Sequence, residues 1–365
     1  MSAFDIYARH TFVGIRDRKN YTIFSHLLRR LGKTMAKDNN SISDDAEITS
    51  ADMSILDEQT REIIDRMERD PFLNIEMTPA EMRVAFDNFY ANIDYPAATI
   101  ASMEERDIPG NAGPIVVRIY HPEGSEGLAK PVCVFFHGGG MMMGSLAAYD
   151  GLCRRLAEKS GCIIVSASYR LAPENKFPAA VEDAVSVVKW ASANASVFGG
   201  DQQRLAIAGE SGGGYLAAAV THIFRDEGDN SILFQLLINP AVGIRKDSES
   251  MKKYGTGYSF DPEVLDWFYS QYLEDMSEID NPLVSPVLSP SFEGLPPAFI
   301  TVAGVDILRS DIELYVQHLK DAGVPVETST YETTIHGFTV MAGVIDHGIT
   351  AIDECGAKLA AGLNK

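Results

Sequence analysis

A serine hydroxyl is a poor nucleophile unless a base takes its proton, so Ser211 attracts interest through its surroundings. Gly209-Glu210-Ser211-Gly212-Gly213 carries the pattern Gly-x-Ser-x-Gly. The short apolar run Leu205 to Ala208 precedes it, and Tyr215 to Val220, rich in helix formers, follows it. That context predicts a buried strand turning sharply into a helix, with the serine raised at the strand's carboxyl end. Small flanking residues let neighbouring backbones pass close, and the first amides of the helix point at negative charge that develops there. The pattern alone also fits a glycine-rich turn, so it needs partners elsewhere in the chain.

The base must be a histidine at another strand end. His222 lies about three turns into the helix after Ser211, His318 sits mid-helix, and His347 stands at the start of the last helix. His336 follows the last strand-like run and precedes Gly337, which makes it the expected base. A carboxylate must orient the imidazole. Asp306, at the end of the run beginning Pro297-Ala298-Phe299, is the expected acid, whereas Asp311 is expected to cap or salt-bridge a helix. The order Ser, Asp, His is that of α/β-hydrolases. Gly138-Gly139-Gly140 follows the apolar run Pro131 to Phe136. The amides of Gly138 and Gly139, with that of Gly212, are expected to form an oxyanion hole, each donor worth about 3 kcal/mol in the transition state. No Gly-Lys-Ser/Thr follows these glycines, which argues against a phosphate loop.

The elements that must position these residues alternate. Strand-like runs at Pro114–Tyr120, Pro131–Phe136, Cys162–Tyr169, Arg204–Ala208, Phe234–Ile238, Pro297–Ala303 and Pro325–Tyr331 are separated mostly by helical stretches. Continuous apolar strands with short connections predict an α/β fold: a mostly parallel central sheet with helices on both faces. In such sheets chemistry gathers at the carboxyl ends of strands, and His137, Ser211, Asp306 and His336 all follow strand-like runs. Residues 1–95 contain no strand signal and read as a helical cap or flank. They hold an apolar-periodic stretch Tyr21–Leu31, a polar break Lys37–Asp45, an amphipathic stretch Ala51–Met67, and a helix Met82–Tyr90. That last helix opens with Thr78 as cap, Pro79 at the first position and Glu81 three residues on. Residues 96–365 read as the catalytic domain. An insertion at about 241–290, with one helix over Pro262–Tyr272, is expected to join the cap.

Composition narrows the partners. The 365 residues carry a net charge of −20, which argues against nucleic acid or an anionic membrane surface. Cys133, Cys153, Cys162 and Cys355 form no CxxC pair, and no HExxH or His/Asp cluster suggests a metal. No metal or other cofactor is expected. Neither a charged segment leading into an apolar run at Met1 nor a membrane-spanning apolar stretch is present, so a reduced, cytoplasmic protein is expected.

The combination of motifs resembles the hormone-sensitive lipase-like branch of the α/β-hydrolases, the bacterial family IV esterases. It is carried by His137-Gly138-Gly139-Gly140 with Gly144-Ser145, by Tyr169-Arg170-Leu171-Ala172-Pro173-Glu174, and by Phe177-Pro178-Ala179-Ala180 with Asp183. Gly209-Glu210-Ser211-Gly212-Gly213, Asp306 with Leu308, and His336-Gly337-Phe338 complete it. The resemblance implies an α/β-hydrolase fold with a helical cap, hydrolysis of short-chain carboxylic esters without a cofactor, and a homodimer, family members often being dimers. The same machinery also fits amides, lactones or carbamates. A catalytically silent ligand-binding protein on this fold would be expected to lack a triad member, and all three are present here. By resemblance, His137 braces the oxyanion loop, and Arg170 and Glu174 hold the loop near the site. The sequence departs from the family where Glu210 and Gly212 replace the usual Asp and Ala. It departs again at Ile307, which stands for a Pro, and at Met141, which stands for an aromatic residue. Met141, Met142 and Met143 suit an adaptable acyl pocket or, equally, the core. Met141 and Met142, with Tyr215 and Phe338, are expected to bind substrate.

Overall fold

The apolar runs become the middle of one eight-stranded sheet. In this computed structural model, residues 51–364 are described, apart from 70, 72, 94, 125, 126, 128 and 259. The expected helix at 21–31 and polar break at 37–45 lie outside the described residues. Among the described residues, two α-helices precede the sheet, α1 (Glu58–Arg69) and α2 (Pro79–Ala91). The strands are β1 (Ile100–Gly110), β2 (Gly113–Pro122), β3 (Lys130–Phe136), β4 (Ile163–Ala167), β5 (Gly200–Glu210), β6 (Ile232–Ile238), β7 (Ala298–Val305) and β8 (Val326–Ile335). Their order in space is β1-β2-β4-β3-β5-β6-β7-β8. Strands β3 to β8 pair in parallel, while β1 and β2 run antiparallel. The strands β3, β4 and β7 are buried almost throughout, as a sheet covered on both faces requires.

Helices α3 (Asp150–Ser160), α4 (Ala179–Asn194), α5 (Gly212–Asp226), α8 (Arg309–Asp321) and α9 (Asp346–Leu363) provide that cover. Two more, α6 (Glu249–Tyr254) and α7 (Pro262–Tyr272), lie in the insertion. The insertion therefore holds two helices where one was expected. The strand β1 was not anticipated. Glu104, Glu105, Arg106 and Asp107 interrupt its apolar pattern, and most of it is exposed, because it is the sheet's outer strand and only one side pairs. Helix α2 starts as its sequence requires. The Thr78 hydroxyl accepts from the Glu81 amide, and the Glu81 carboxylate accepts from the Thr78 amide at 2.9 Å. Met82, Phe86 and Phe89 form its buried stripe, while Val84 faces outward at 62% exposure.

Register brings the chemistry together. Phe136 of β3 is level with Gly209 of β5, so the residues after both strands emerge side by side. Val305 of β7 is level with Ile335 of β8, so Asp306 and His336 emerge as neighbours. Glu210 is level with Ile238 of β6, which lies between these two pairs.

Candidate active site

The strand-to-helix turn at Ser211 is strained. Ser211 has φ 51° and ψ −116°, a region that costs an L-residue about 1–3 kcal/mol and persists only where the surroundings enforce it. The enforcement is visible. Ser211 donates its amide to the Ile238 carbonyl at 2.9 Å, and its own carbonyl accepts from Tyr215 and Ala241 at 3.0 Å. A β-carbon at Gly213 would collide with the Phe136 carbonyl, so β3 and the start of α5 can pass this closely only with glycine there.

The hydroxyl of Ser211 donates to His336 Nε2 at 2.7 Å, and His336 Nδ1 donates to Asp306 Oδ2 at 2.6 Å. A carboxylate only accepts, so the proton sits on Nδ1 and leaves Nε2 free for the serine. Asp306 is itself fixed by the Leu308 amide, which donates to Oδ1 at 2.9 Å. Burial opposes charging of His336, but the neighbouring Asp306 charge and hydrogen bond, with a contribution from Glu210, outweigh it and raise its pKa above the ordinary 6.5. The Phe260 ring meets the imidazole edge-on at 5.1 Å.

The loop after β3 is a tight turn built on positive φ: Gly139 at 110°, Gly140 at 59° and Met141 at 61°. The amides of Met142 and Met143 both donate to the Gly139 carbonyl. Among the described residues, no backbone or side-chain acceptor takes the amides of Gly139 or Gly140. Both glycines, with Gly212, line the cavity over Ser211. Gly138, expected as a donor, does not line this cavity. The Gly138 carbonyl accepts from His137 Nδ1 at 2.8 Å, and a β-carbon there would meet the Tyr149 hydroxyl at 2.5 Å. His137 stacks on Tyr169 at 4.4 Å, and Tyr169 donates to the His137 carbonyl at 2.8 Å. Burial lowers the His137 pKa to about 4, so this histidine stays neutral near neutral pH.

Glu210 is buried directly beneath this loop. Its Oε2 accepts from Tyr149 at 2.7 Å, and Oε1 has no partner among the described residues. Burial raises its pKa. The loop after β4 is held by ion pairs: Arg170 binds Asp183 at 2.9 Å, and Glu174 binds Arg83 at 2.6 Å. Asp311 pairs with Arg245 at 2.5 Å, away from His336.

Of the residues expected to bind substrate, Met141 lines the cavity and Met142, Tyr215 and Phe338 do not. Met142 is buried in the core. Tyr215 turns its hydroxyl to Tyr272 and the Leu283 carbonyl, pinning the insertion. Phe338 packs on Tyr331 at 5.0 Å. The walls come instead from Phe86 and Tyr90 of α2 and Leu265, Phe268 and Tyr269 of α7, with Met143 and Phe260. The one-turn spacing of Phe86 and Tyr90 was the only sequence signal for them. Among the described residues, no lysine or arginine lines the cavity. Among the described residues, no group of three His, Cys, Asp or Glu side chains is placed to hold a metal ion, and no helix is long and apolar enough to cross a membrane.

Comparison with known proteins gives the same architecture. The profile of a family described as alpha/beta hydrolase fold matches residues 133–340. The carboxylic ester hydrolase LipN of Mycobacterium tuberculosis is 42% identical over 238 residues, covering 63% of this chain and 62% of LipN. The esterase LipI of the same organism is 39% identical over 241 residues, covering 65% of this chain and 75% of LipI. Among solved structures, the ester hydrolase EH1AB1 from the metagenome of Lake Arreo superposes with a TM-score of 0.81 at 34% identity. That superposition takes in 85% of this chain and all of EH1AB1.

Proposed function

The chain belongs to the α/β hydrolase family, and from that premise we propose that it is a serine carboxylesterase acting on uncharged, short-chain esters. The observation that carries the reading is the unbroken hydrogen-bond line from Asp306 through His336 to Ser211, ending at a cavity rimmed by spare amides. The relatives named carboxylic ester hydrolase and esterase support the reaction class. The apolar cavity, roofed by cap residues and lined, among the described residues, by no lysine or arginine, supports an uncharged substrate of limited length.

The mechanism follows from the geometry. Ser211 Oγ attacks the ester carbonyl while His336 Nε2 takes the hydroxyl proton. Asp306 holds the imidazole in the tautomer that accepts this proton and stabilises the imidazolium. The carbonyl oxygen becomes an oxyanion, met by the amides of Gly139, Gly140 and Gly212. His336 then gives its proton to the departing alcohol, leaving an acyl-Ser211. Water, deprotonated by His336, attacks that acyl group, the same amides hold the second oxyanion, and its collapse breaks the acyl–Ser211 bond as His336 returns the proton to Oγ and the carboxylic acid departs. Loss of one such donor costs about 2.7–4 kcal/mol in the transition state.

The test is hydrolysis of p-nitrophenyl esters from acetate to laurate by the wild type and Ser211→Ala. The expected result is cleavage of the shorter esters by the wild type, with the variant reduced by at least about 10³-fold. Equal activity of the two proteins would remove Ser211 from the mechanism. A wild type inactive on every ester would overturn the esterase reading.

A further inference from the structure

The reaction leaves one heavily bonded side chain on the cap without a role. Arg83 projects from helix α2 to the turn that follows β3. Its Nε donates to the Met142 carbonyl at 2.8 Å, and its Nη2 donates to the Ala172 carbonyl at 2.7 Å. The same guanidinium forms a two-pronged pair with Glu174, at 2.6 Å through Nη2 and 3.0 Å through Nη1. One side chain thus joins a cap helix, the oxyanion loop and the loop after β4.

The residues that bear the two carbonyls are themselves bonded to the turn. The Met142 amide donates to the Gly139 carbonyl at 3.1 Å, and the Ala172 amide donates to the Met141 carbonyl at 2.9 Å. Arg83 therefore takes up the Met142 carbonyl of the turn and the Ala172 carbonyl of the loop bonded to it, while the turn's remaining amides, on Gly139 and Gly140, rim the cavity beside Ser211. One helical turn further along α2, Asp87 accepts from the Ser145 hydroxyl at 3.1 Å. The same face of the helix touches the loop twice.

We propose that Arg83 is a positioning residue for the oxyanion loop, coupling the seating of cap helix α2 to the aim of the Gly139 and Gly140 amides. The inference rests on the esterase reading above. Its physical basis is that oxyanion donors help only when they are already aimed before charge develops. A loop released from Arg83 still binds ester but must reorganise in the transition state, so the loss falls on kcat more than on KM.

Two variants of the full chain test this. Arg83→Met keeps the length and the apolar stem and removes every donor, while Arg83→Lys keeps the charge and part of the bonding. On p-nitrophenyl acetate, Arg83→Met is expected to lower kcat by about 10- to 100-fold with KM within about threefold of wild type. A trifluoromethyl ketone, whose adduct with serine carries an oxyanion, is expected to bind more weakly by the same factor as the loss in kcat/KM. Arg83→Lys is expected to recover part of both. Hydrogen exchange at the amides of residues 138–143 is expected to quicken in Arg83→Met while β5 and β6 stay protected. Unchanged kcat, ketone affinity and loop exchange would overturn the proposal, as would a loss confined to KM. If Arg83→Met does not fold, the same readouts on Arg83→Lys decide. If the wild type hydrolyses no ester, the esterase reading fails, and the exchange comparison alone decides whether the loop depends on Arg83.

Discussion

Helix α2 and the insertion at 241–290 both roof the cavity, yet they grip different halves of the machinery. Helix α2 reaches the oxyanion loop through Arg83 and Asp87, and the arginine's chief targets there are backbone carbonyls and the half-exposed Glu174. The insertion reaches the loop that carries Asp306. Arg245 donates to Asp311 through its side chain at 2.5 Å and through its amide at 3.0 Å. Ser250 donates to the Ile307 carbonyl at 2.6 Å and accepts from the Ser310 amide at 3.1 Å. Asp311 is 1% exposed, so its charge depends on these partners. The two grips differ in what fails when they are cut. Removing Arg83 takes a donor from two backbone carbonyls and disturbs an aim. Removing Arg245 leaves a buried carboxylate short of its counter-charge. The first loss should appear in turnover and the second in stability.

The largest effect expected on the acid side is at Asp306 itself. Asp306→Asn keeps the shape but loses the charge and favours the wrong imidazole tautomer, so kcat should fall by about 10⁴-fold. The pH profile adds a signed test. Activity needs neutral His336, so kcat/KM should fall as pH drops through a pKa that lies above 6.5 in the wild type. Asp306 is the main group holding that pKa up against burial. In the asparagine variant the residual activity should therefore persist to lower pH. A profile that does not move would mean that Asp306 does not govern the imidazole, and the division into an acid side and an oxyanion side would collapse.

Next in size is Arg245→Met, which addresses the comparison directly. The buried charge of Asp311 loses its pair but keeps a backbone donor, and Arg245 is 40% exposed. The expected cost is about 2–3 kcal/mol, below the figure for a fully buried pair. Thermal unfolding should shift down by several degrees while kcat stays within about threefold of wild type. The opposite pattern, a rate loss at unchanged stability, would make the two cap grips equivalent and remove the contrast with Arg83.

The hydrogen-bonded line of Ser211, His336 and Asp306 was legible because each member follows an apolar run: Ser211 after Leu205–Ala208, Asp306 after Pro297–Ala303, and His336 after the last strand. Such positions follow from strand order and register, and both are constrained by burial on two faces. The turn after β3 was half legible. Glycine type marks the loop, but which amides turn inward depends on φ at Gly139 and Gly140 and on His137 holding the Gly138 carbonyl. The walls of the cavity were scarcely legible, because Tyr90, Phe268 and Tyr269 meet only after two distant cap segments fold over the sheet. Arg83 lies far along the chain from both Met142 and Ala172, and no spacing rule connects them. The outer strand β1 escaped notice for a different reason: exposed on most of its length, it is free to carry charges that mask its period.

The smallest effect concerns Gly212, where the family's usual residue is alanine, and it probes how tightly the oxyanion side is packed. A β-carbon at this position would lie 2.9 Å from Met141 Sδ and 3.2 Å from the Gly140 amide nitrogen. The thioether is the movable end of a flexible side chain, so it can swing aside. The Gly140 amide belongs to the loop that Arg83 holds, so it can yield only by a few tenths of an ångström. Gly212 lies at the first position of α5 without a positive φ, so alanine suits the backbone and restricts the unfolded chain, worth about 0.4–1 kcal/mol of stability. Gly212→Ala is therefore expected to raise the unfolding temperature slightly and to lower kcat by no more than about fivefold, through pressure on the Gly140 amide. Adding Met141→Ala should relieve the contact with sulfur but not the contact with Gly140. If the double variant regains wild-type kcat, the sulfur was the obstacle and the loop is loose. If it does not, the held amide is the obstacle, as a loop clamped from the cap side requires.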